Sequence, residues 1–444
     1  MRSKYGSFGL LGIIGGLLLF GLISRASHTN VVIILCDDVG FECFGSYGSE
    51  EYYTPRLDTM AEEGIRFTNV HSTPLCTPSR VNLMTGKSNV FNYYDFGVFP
   101  REESTFAQHF KSLGYATAVA GKWQLQLEDK GITPTDAGFD TYCLWNMPLT
   151  SRERYWNPSF DKNGSLIKLP KDSYGPKVVN DFIIEFIKEN KDRPFMVYNP
   201  LILPHSPFPP TPHSKNLKET DEKKNFIDMV EYIDFVVGRL VDNLEELGLR
   251  ENTLILFTSD NGTHDRIISE LDGKQIPGRK GYTKDYGTRV PLIVNFPGVI
   301  PGGQVNEDLI CFSDIFPTIV EAARIKPKRI TDGDGWSFWP QCLGQNGIKR
   351  EWIYGYYFPR PYAEDFDDKY RHWEVRYARD KRYKLYDSGK MYDTVIDTLE
   401  KSPLAEETAQ EVRKKLQDAL NTYPPKGQNV DYSRVTGTMP EGIN

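Results

Sequence analysis

Oxygen-bearing side chains stand at two places where a short apolar run ends. Asp37 and Asp38 follow the first run, and Asp260 and Asn261 follow the second. In open α/β sheets, binding sites form at the carboxyl ends of the strands. A single Asp at a strand end is more often a helix cap or a turn residue, but two such pairs favour a shared site. Three carboxylates and an amide suit a hard cation such as Ca²⁺ or Mg²⁺.

A cysteine lies at the start of a predicted helix in the stretch PLCTPSR, residues 74–80. Pro78 fits the first turn of a helix that runs to about Thr85, because the N–H that proline lacks has no helical partner there. Cys76 is then presented at the helix N-terminus, where the dipole favours anions, and Arg80 adds a guanidinium one turn further on. The pattern leaves three interpretations open: a thiol in an anion site, a thiolate nucleophile, or a buried thiol at a capped helix start.

A parallel sheet is needed to bring these residues together. The run Val31–Cys36 is rich in β-branched residues, which is typical of a strand buried on both faces. Strand and helix patterns then alternate, which predicts an α/β fold with a large, mainly parallel mixed sheet flanked by helices on both faces. Further strands are predicted near 66–71, 116–120, 194–201, 253–259 and 290–296, and helices near 55–63, 104–113, 178–187 and 226–247.

The chain changes character after about residue 345. Short tyrosine-rich segments separated by turn residues predict a small C-terminal antiparallel sheet, with strands at 352–357, 374–378, 382–386 and 390–392. One helix is predicted over Ala405–Tyr423. The expected organisation is an N-terminal segment at 1–26, a catalytic α/β domain at 27–345 and a small α+β subdomain at 346–444.

The N-terminus has the pattern of an export signal. Arg2 and Lys4 precede an uncharged, mostly apolar run from Tyr5 to Ser24, and a small-x-small cleavage pattern ends at Ala26. We therefore expect a periplasmic or extracellular protein. The alternative is an uncleaved membrane anchor, since about 20 residues suffice to span a bilayer.

Charge and cysteine content exclude several classes of protein. The 444-residue chain has a formal charge of −7, which argues against non-specific nucleic-acid binding because that requires a basic surface. The six cysteines show no metal-finger spacing. Export would permit a disulfide, for example between Cys311 and Cys342, but the spacing alone does not assign one.

Cys76, Pro78, Ser79 and Arg80 form a C-x-P-S-R pattern that resembles the signature of the type I sulfatases, in which the cysteine is oxidised to formylglycine. This pattern alone would be an unremarkable match, but further motifs occur in the family's order over roughly residues 30 to 400. They are Asp37-Asp38, Gly121-Lys122-Trp123, Pro204-His205-Ser206-Pro207, Ser259-Asp260-Asn261-Gly262, Gly278-Arg279-Lys280-Gly281 and Arg289-Val290-Pro291-Leu292-Ile293-Val294.

The resemblance implies a sulfuric-ester hydrolase of the alkaline-phosphatase-like superfamily. It implies Ca²⁺ (or Mg²⁺) as cofactor and a maturation enzyme that generates the formylglycine. In the family, one hydroxyl of the hydrated formylglycine attacks sulfur, and deprotonation of the second expels sulfate. The implied metal ligands are Asp37, Asp38, the modified Cys76, Asp260 and Asn261; Arg80 would hold the hydrate, Lys122 and Lys280 would bind sulfate oxygens, and His205 would protonate the leaving alcohol.

Two positions depart from the family pattern. Lys87 replaces an arginine and keeps its charge, whereas Gln124 stands where the family usually has the histidine that follows Lys122 by two residues. An amide can hydrogen-bond to the second hydroxyl of the hydrate but cannot take up its proton near neutral pH. We therefore expect a substitute base, and His264, Asp260 or a water relayed through Gln124 are the alternatives.

The expected substrate is a sulfated carbohydrate, or otherwise an aryl sulfate. Export fits a polymeric substrate, and tryptophans could stack on sugar rings, although each is more often a core residue. One alternative is a phosphonate or phosphodiester hydrolase on the same scaffold. Another is a non-catalytic anion-binding protein in which Cys76 remains a thiol. The tryptophans in question are Trp145, Trp156, Trp336 and Trp373.

Overall fold

A computed structural model describes residues 28–127, 130–146, 150, 153–324, 333–362 and 374–435. The predicted export segment at 1–26 and Trp373 lie outside these residues. Within these ranges, no helix combines the length and the apolar character needed to cross a membrane.

The described residues form one large sheet, one four-stranded sheet and two short hairpins. The strands are β1 Asn30–Cys36, β2 Ile65–His71, β3 Ala116–Trp123, β4 Gln126–Leu127, β5 Lys130–Gly131, β6 Thr141–Asn146, β7 Ser159–Lys162, β8 Ser165–Lys168, β9 Phe195–Pro200, β10 Thr253–Ser259, β11 Ile268–Leu271, β12 Lys274–Pro277, β13 Leu292–Asn295, β14 Gln304–Cys311, β15 Ile353–Tyr357, β16 Val375–Arg379, β17 Tyr383–Tyr386 and β18 Met391–Asp393.

Helices connect and cover these strands, and side-chain caps mark the start of two of them. Thr105 forms a capping box with Gln108, and the Asp221 carboxylate accepts backbone N–H groups of the following turn. The helices are α1 Pro55–Glu62, α2 Cys76–Thr85, α3 Asn89–Asn92, α4 Phe106–Ser112, α5 Gly175–Glu189, α6 Glu222–Glu246, α7 Asp285–Thr288, α8 Ile315–Ala322, α9 Trp339–Cys342 and α10 Gln410–Asn421, with 3₁₀ turns at Phe41–Cys43, Gly45–Tyr47, Arg250–Asn252 and Phe312–Asp314.

The large sheet has ten strands in the order β14-β2-β13-β10-β1-β9-β3-β6-β7-β8. Its centre is parallel, from β10 through β1, β9 and β3 to β6. Strand β13 runs antiparallel to both of its neighbours, and β7 and β8 form an antiparallel edge. The predicted mainly parallel mixed sheet is thus confirmed.

Both faces of this sheet are covered, as the apolar run of β1 predicts. Val31, Ile33 and Leu35 belong to one buried cluster, which includes side chains of α2, α4 and α8. The alternate residues Val32 and Ile34 belong to a second cluster with side chains of α1, α5 and α6. Successive side chains of a strand point to opposite faces, so β1 needs apolar residues at every position.

The C-terminal part of the chain forms the predicted small antiparallel sheet with one helix. Strands β15 to β18 pair in sequence order, and α10 packs against them. Leu416, Ala419 and Leu420 of α10 are buried beside Tyr354 and Tyr356 of β15. The helix is shorter at both ends than the predicted 405–423.

Within the large sheet, the prediction missed strands β6, β7, β8 and β14, and it also missed the short hairpins β4-β5 and β11-β12. Strands β7 and β8 form one edge of the sheet, where β8 is largely exposed and β7 buries only its two central residues, and β14 begins with alternating half-buried and exposed residues at the other edge. Polar edge strands lack the apolar signal on which the prediction relied. All six cysteines are free, so Cys311 and Cys342 do not form a disulfide.

Candidate active site

The carboxyl ends of β1 and β10 bring the four oxygen-bearing residues together. The two strands are parallel neighbours, and the backbone N–H of Asp38 donates to Asp260 Oδ1 at 3.1 Å. The Asn261 side-chain amide donates to Asp38 Oδ1 at 3.0 Å. Asp37, Asp38, Asp260 and Asn261 are all completely buried. Asp38 has a φ of +71°, a left-handed conformation that is uncommon outside glycine and turns its carboxylate into the cluster.

These residues fit the divalent cation that the sequence resemblance implies. Cys76 Sγ and carboxylate oxygens of Asp37 and Asp260 all lie within 4.8 Å of one another. The Asn261 Oδ1 atom is buried and has no hydrogen-bond partner in the described part of the chain. An unpartnered buried amide oxygen is costly unless something else binds it, and a hard cation would do so.

Cys76 is the first residue of α2, as predicted, and its side chain is almost fully buried. Its Sγ donates to Gln124 Oε1 at 2.8 Å. Burial raises the pKa of the Cys76 thiol, although the positive charge of Lys122 opposes that shift. A thiol whose pKa is raised is a poor source of thiolate, which argues against the thiolate-nucleophile interpretation.

Two basic side chains of the site form close ion pairs with its carboxylates. Arg80 donates to Asp260 Oδ2 through Nη2 at 2.7 Å and through Nε at 3.2 Å. Lys122 Nζ lies 2.7 and 2.9 Å from the two carboxylate oxygens of Asp37. Burial alone would raise the pKa of Asp37, but the positive charges of Lys122 and Arg80 hold it below its usual value. Burial and the neighbouring Asp37 charge raise the pKa of Asp260 to about 7 despite Arg80.

Lys280 and His205 lie together at the other side of the cluster. Lys280 donates to Asp38 Oδ2 and lies 3.2 Å from His205 Nε2. His205 Nδ1 lies 2.6 Å from the Ser206 carbonyl, which assigns the ring proton to Nδ1. Burial and the Lys280 charge lower the pKa of His205, so the free site favours the neutral ring. An anionic ligand bound nearby would favour the protonated ring instead.

Backbone contacts fix the loops that carry these side chains. The Lys280 N–H donates to the Thr263 carbonyl at 3.0 Å, and the next N–H in the chain donates to the Pro74 carbonyl at 2.8 Å. The Tyr155 hydroxyl donates to the Ile202 carbonyl at 2.8 Å and also contacts the His205 carbonyl. The loop of Lys280 is therefore tied to the loop of Cys76, and Tyr155 fixes the backbone of the His205 loop.

Glycine at position 121 permits the strand geometry that places Lys122. Gly121 has a φ of +130°, and a Cβ there would lie 1.8 Å from the Pro200 carbonyl oxygen. No larger side chain fits, so β3 and β9 approach closely at the point where Lys122 enters the site.

The two departures from the family pattern differ in their surroundings. Lys87 forms an ion pair with Glu103 at 2.7 Å, which accounts for the retained charge. Gln124 contacts Cys76 itself, so its amide lies where the missing histidine would act.

The predicted substitute base His264 is held elsewhere. Its Nδ1 lies 2.9 Å from Asp265 Oδ1 and 3.2 Å from the Arg266 backbone nitrogen. Among the described hydrogen bonds, none joins His264 to Cys76 or Gln124. An oxygen of Asp260 is within 4.8 Å of Cys76 Sγ, so the geometry favours Asp260 over His264 as the base.

Sequence reasoning missed Arg154, which lies beside the predicted site. Its Nη1 is 3.8 Å from Asp37 Oδ2, and its guanidinium carbon is 4.0 Å from the centre of the Trp145 ring. Arg154 lies in no predicted element and in no family motif, so the sequence carried no signal for it.

The other predicted stacking platforms differ in exposure. Trp145 is buried beneath Arg154, and Trp156 donates through its indole N–H to the Pro210 carbonyl at 2.8 Å. Trp336 is 44% exposed, and Arg350 packs over its ring. Buried Trp145 is thus a support for a site residue rather than a sugar platform.

Comparison with known proteins agrees with this geometry. Residues 29–325 match the family model described as Sulfatase, and residues 279–425 match the one described as N-sulphoglucosamine sulphohydrolase, C-terminal. Arylsulfatase G of Mus musculus is 30% identical over 364 residues, which cover 70% of this chain and 68% of that protein.

Two solved structures share the fold. The crystal structure of Ps i-CgsB has a TM-score of 0.73 at 23% identity, covering 89% of this chain and 92% of that one. A protein solved in complex with its substrate D-glucosamine-2-N,6-O-disulfate has a TM-score of 0.71 at 21% identity, covering 89% and 97%. With the family model matching residues 29–325, the chain belongs to the type I sulfatases of the alkaline-phosphatase-like superfamily.

Proposed function

We propose that this sulfatase removes sulfate from a sulfated carbohydrate through a formylglycine formed at Cys76 and a bound divalent cation. The observation that carries the proposal is the convergence of Cys76, three carboxylates and Asn261 with three basic side chains and His205. Formylglycine, when formed, would supply a hydrated aldehyde with one hydroxyl for attack on sulfur and a second that allows release of sulfate.

The cation would be held by Asp37, Asp38, Asp260, Asn261 and the residue at position 76. A cation such as Ca²⁺ would polarise the sulfate ester and favour the ionised nucleophile. The buried, unpartnered Asn261 Oδ1 and the carboxylate-rich donor set support an oxygen-preferring ion over a thiolate-preferring one.

The basic residues divide between two tasks in this proposal. Arg80, buried against Asp260, holds the nucleophile side of the site in place. Lys122 and Lys280 neutralise charge on the sulfate oxygens as it develops in the transition state. His205, at the more exposed side, would give a proton to the leaving alcohol once the bound anion has raised its affinity for protons.

The carbohydrate substrate is supported by the relatives. The solved neighbour described above binds a disulfated glucosamine as its substrate. A second relative, 29% identical over 359 residues, is named N-acetylgalactosamine-6-sulfatase and comes from Canis lupus familiaris. Both names indicate sulfated amino sugars. Export through the segment at 1–26 and action on an extracellular or periplasmic polymer belong to the same proposal.

The test is a desulfation screen on position-defined sulfated monosaccharides, with Cys76→Ala as the matched inactive variant. We expect turnover by the wild type matured by a formylglycine-generating enzyme, and none by Cys76→Ala, whose circular dichroism spectrum should be unchanged. Peptide mass spectrometry should show Cys76 converted to the aldehyde. Full activity of Cys76→Ala would overturn the mechanism, and preferential hydrolysis of phosphate or phosphonate esters would favour the alternative activity.

A further inference from the structure

Arg154 is a fourth basic residue beside the active site, and the charges already there do not account for it. Lys122 pairs with Asp37 and Lys280 with Asp38, while Arg80 pairs with Asp260 and also lies 3.6 Å from Asp37. The carboxylate nearest to Arg154 is Asp37, whose two oxygens already accept hydrogen bonds from Lys122. At 3.8 Å, the Arg154 Nη1 is too far from Asp37 for a hydrogen bond.

The guanidinium of Arg154 also has donor atoms without hydrogen-bond partners among the described residues. Its Nε and Nη1 atoms are buried and have no hydrogen-bond partner among the residues that the structure describes. Leaving a buried charged donor unpaired is unfavourable, so such a group indicates a partner that arrives with a ligand. The Trp145 ring beneath it holds the guanidinium in place by a cation–π contact without using its N–H groups.

The position of Arg154 indicates which part of a substrate it would meet. The Arg154 side chain is 11% exposed and that of His205 is 19% exposed, whereas those of Lys122 and Arg80 are 1% exposed. The site therefore opens on the side of Arg154 and His205. His205 is the proposed donor of the proton to the leaving alcohol, so the sugar lies on this side and the sulfate lies deeper.

The balance of charge favours an additional anion there. Four basic residues face three carboxylates, and a sulfate monoester carries only one negative charge. A bound divalent cation would leave the site with a further excess of positive charge. A second negative group on the sugar of the substrate would be stabilised by this excess of positive charge.

We propose that Arg154 binds a second anionic group of the saccharide, either another sulfate or a uronate carboxylate, next to the sulfate that is cleaved. This inference rests on the proposed sulfatase function and refines its substrate class. Arg154 is then the residue that selects multiply charged sugars over singly sulfated ones.

The test is calorimetric binding to the Cys76→Ala protein loaded with Ca²⁺, with and without Arg154→Gln. The probes are inorganic sulfate, N-acetylglucosamine 6-sulfate, D-glucosamine 2-N,6-O-disulfate, and a sulfated hexose paired with the equivalent sulfated uronate. We expect Arg154→Gln to weaken binding of the doubly charged sugars by roughly 10- to 100-fold, the loss expected for one charge-assisted hydrogen bond. Affinity for inorganic sulfate and for the singly charged sugars should change by less than about threefold.

The matched control is Arg239→Gln, since Arg239 of α6 forms its ion pair with Asp181 of α5 and not with a carboxylate of the site. It should leave all affinities unchanged. Equal weakening of every probe by Arg154→Gln would place Arg154 on the cleaved sulfate and overturn the proposal. No weakening of any probe, or a parent protein with no preference for doubly charged sugars, would overturn it as well. A wild type that shows this preference but hydrolyses no sulfate ester would instead refute the proposed function.

Discussion

Replacement of Lys384 by methionine tests whether the C-terminal sheet supports the active-site loop. Lys384 Nζ lies 3.1 Å from Glu400 Oε1, and both side chains are completely buried. Lys384 also donates to the carbonyl of Thr283, three residues after Lys280. The Tyr386 hydroxyl donates to the other Glu400 oxygen at 2.5 Å. The buried pair therefore joins β17 to the segment that carries a site residue.

The expected cost follows from what the substitution leaves behind. Lys384→Met removes the counter-charge of a carboxylate that has no access to water, which typically costs about 3–5 kcal/mol in unfolding free energy. Adding Glu400→Gln removes the uncompensated charge while keeping an acceptor for Tyr386. The double variant should therefore recover most of the loss, because a buried pair contributes little net stability once its desolvation is counted.

The assay is urea unfolding followed by circular dichroism, with sulfatase activity measured on the folded proteins. Lys349→Met is the control, since Lys349 is 60% exposed and its pair with Asp308 at 3.3 Å should contribute less than about 1 kcal/mol. A loss in Lys384→Met no greater than in the control would refute the reasoning. So would a double variant as unstable as the single one.

Three further predictions concern the cation, the base and a buried histidine. Chelation should abolish activity and lower the melting temperature, because a cation that binds only the folded chain stabilises it and its removal leaves the buried Asn261 Oδ1 without a partner, and Ca²⁺ should restore both; indifference to chelation would exclude the metal site. His264→Ala should keep turnover within about threefold and show no burst of alcohol release, because removal of the actual catalytic base would slow sulfate release by about 10²–10⁴-fold; a burst in that variant alone would identify His264 as the base. Burial and the Arg379 charge lower the pKa of His71, so below about pH 6.5 the unfolded chain binds a proton that the folded chain does not, and stability should fall as the pH decreases. His71→Gln should flatten that slope in urea titrations at pH 5 to 7, and an unchanged slope would contradict the assignment.

The sequence predicted the central strands because their burial leaves a strong signal. Strand β10 begins and ends at the predicted residues, and the Asp and Asn residues that follow β1 and β10 meet as expected. Parallel neighbouring strands end at the same edge of a sheet, so the position of these Asp and Asn residues follows from the strand assignment alone. The edge strands β7 and β14 carry mixed polar residues and gave no such signal.

The composition of the site was less predictable than its position. Which basic residue pairs with which carboxylate depends on loop paths, such as the contact between the Lys280 loop and Pro74, that no local pattern encodes. Proximity in sequence to Asn261 made His264 a candidate base, but its Nδ1 contacts Asp265 and the Arg266 backbone N–H instead. Only the distances of Arg154 to Asp37 and Trp145 place this residue beside the site.

If Cys76 is oxidised as proposed, its burial at the start of α2 has a consequence for the order of events during biogenesis. Its side chain is 2% exposed, and α2 is buried along its whole length. An enzyme that oxidises this thiol needs access to the surrounding backbone as well as to Sγ, and the folded chain provides neither. Under the proposed function, modification would therefore have to precede the packing of α2, so folding and maturation would compete in time. A chain that folds too quickly would be stable and correctly shaped but permanently inactive.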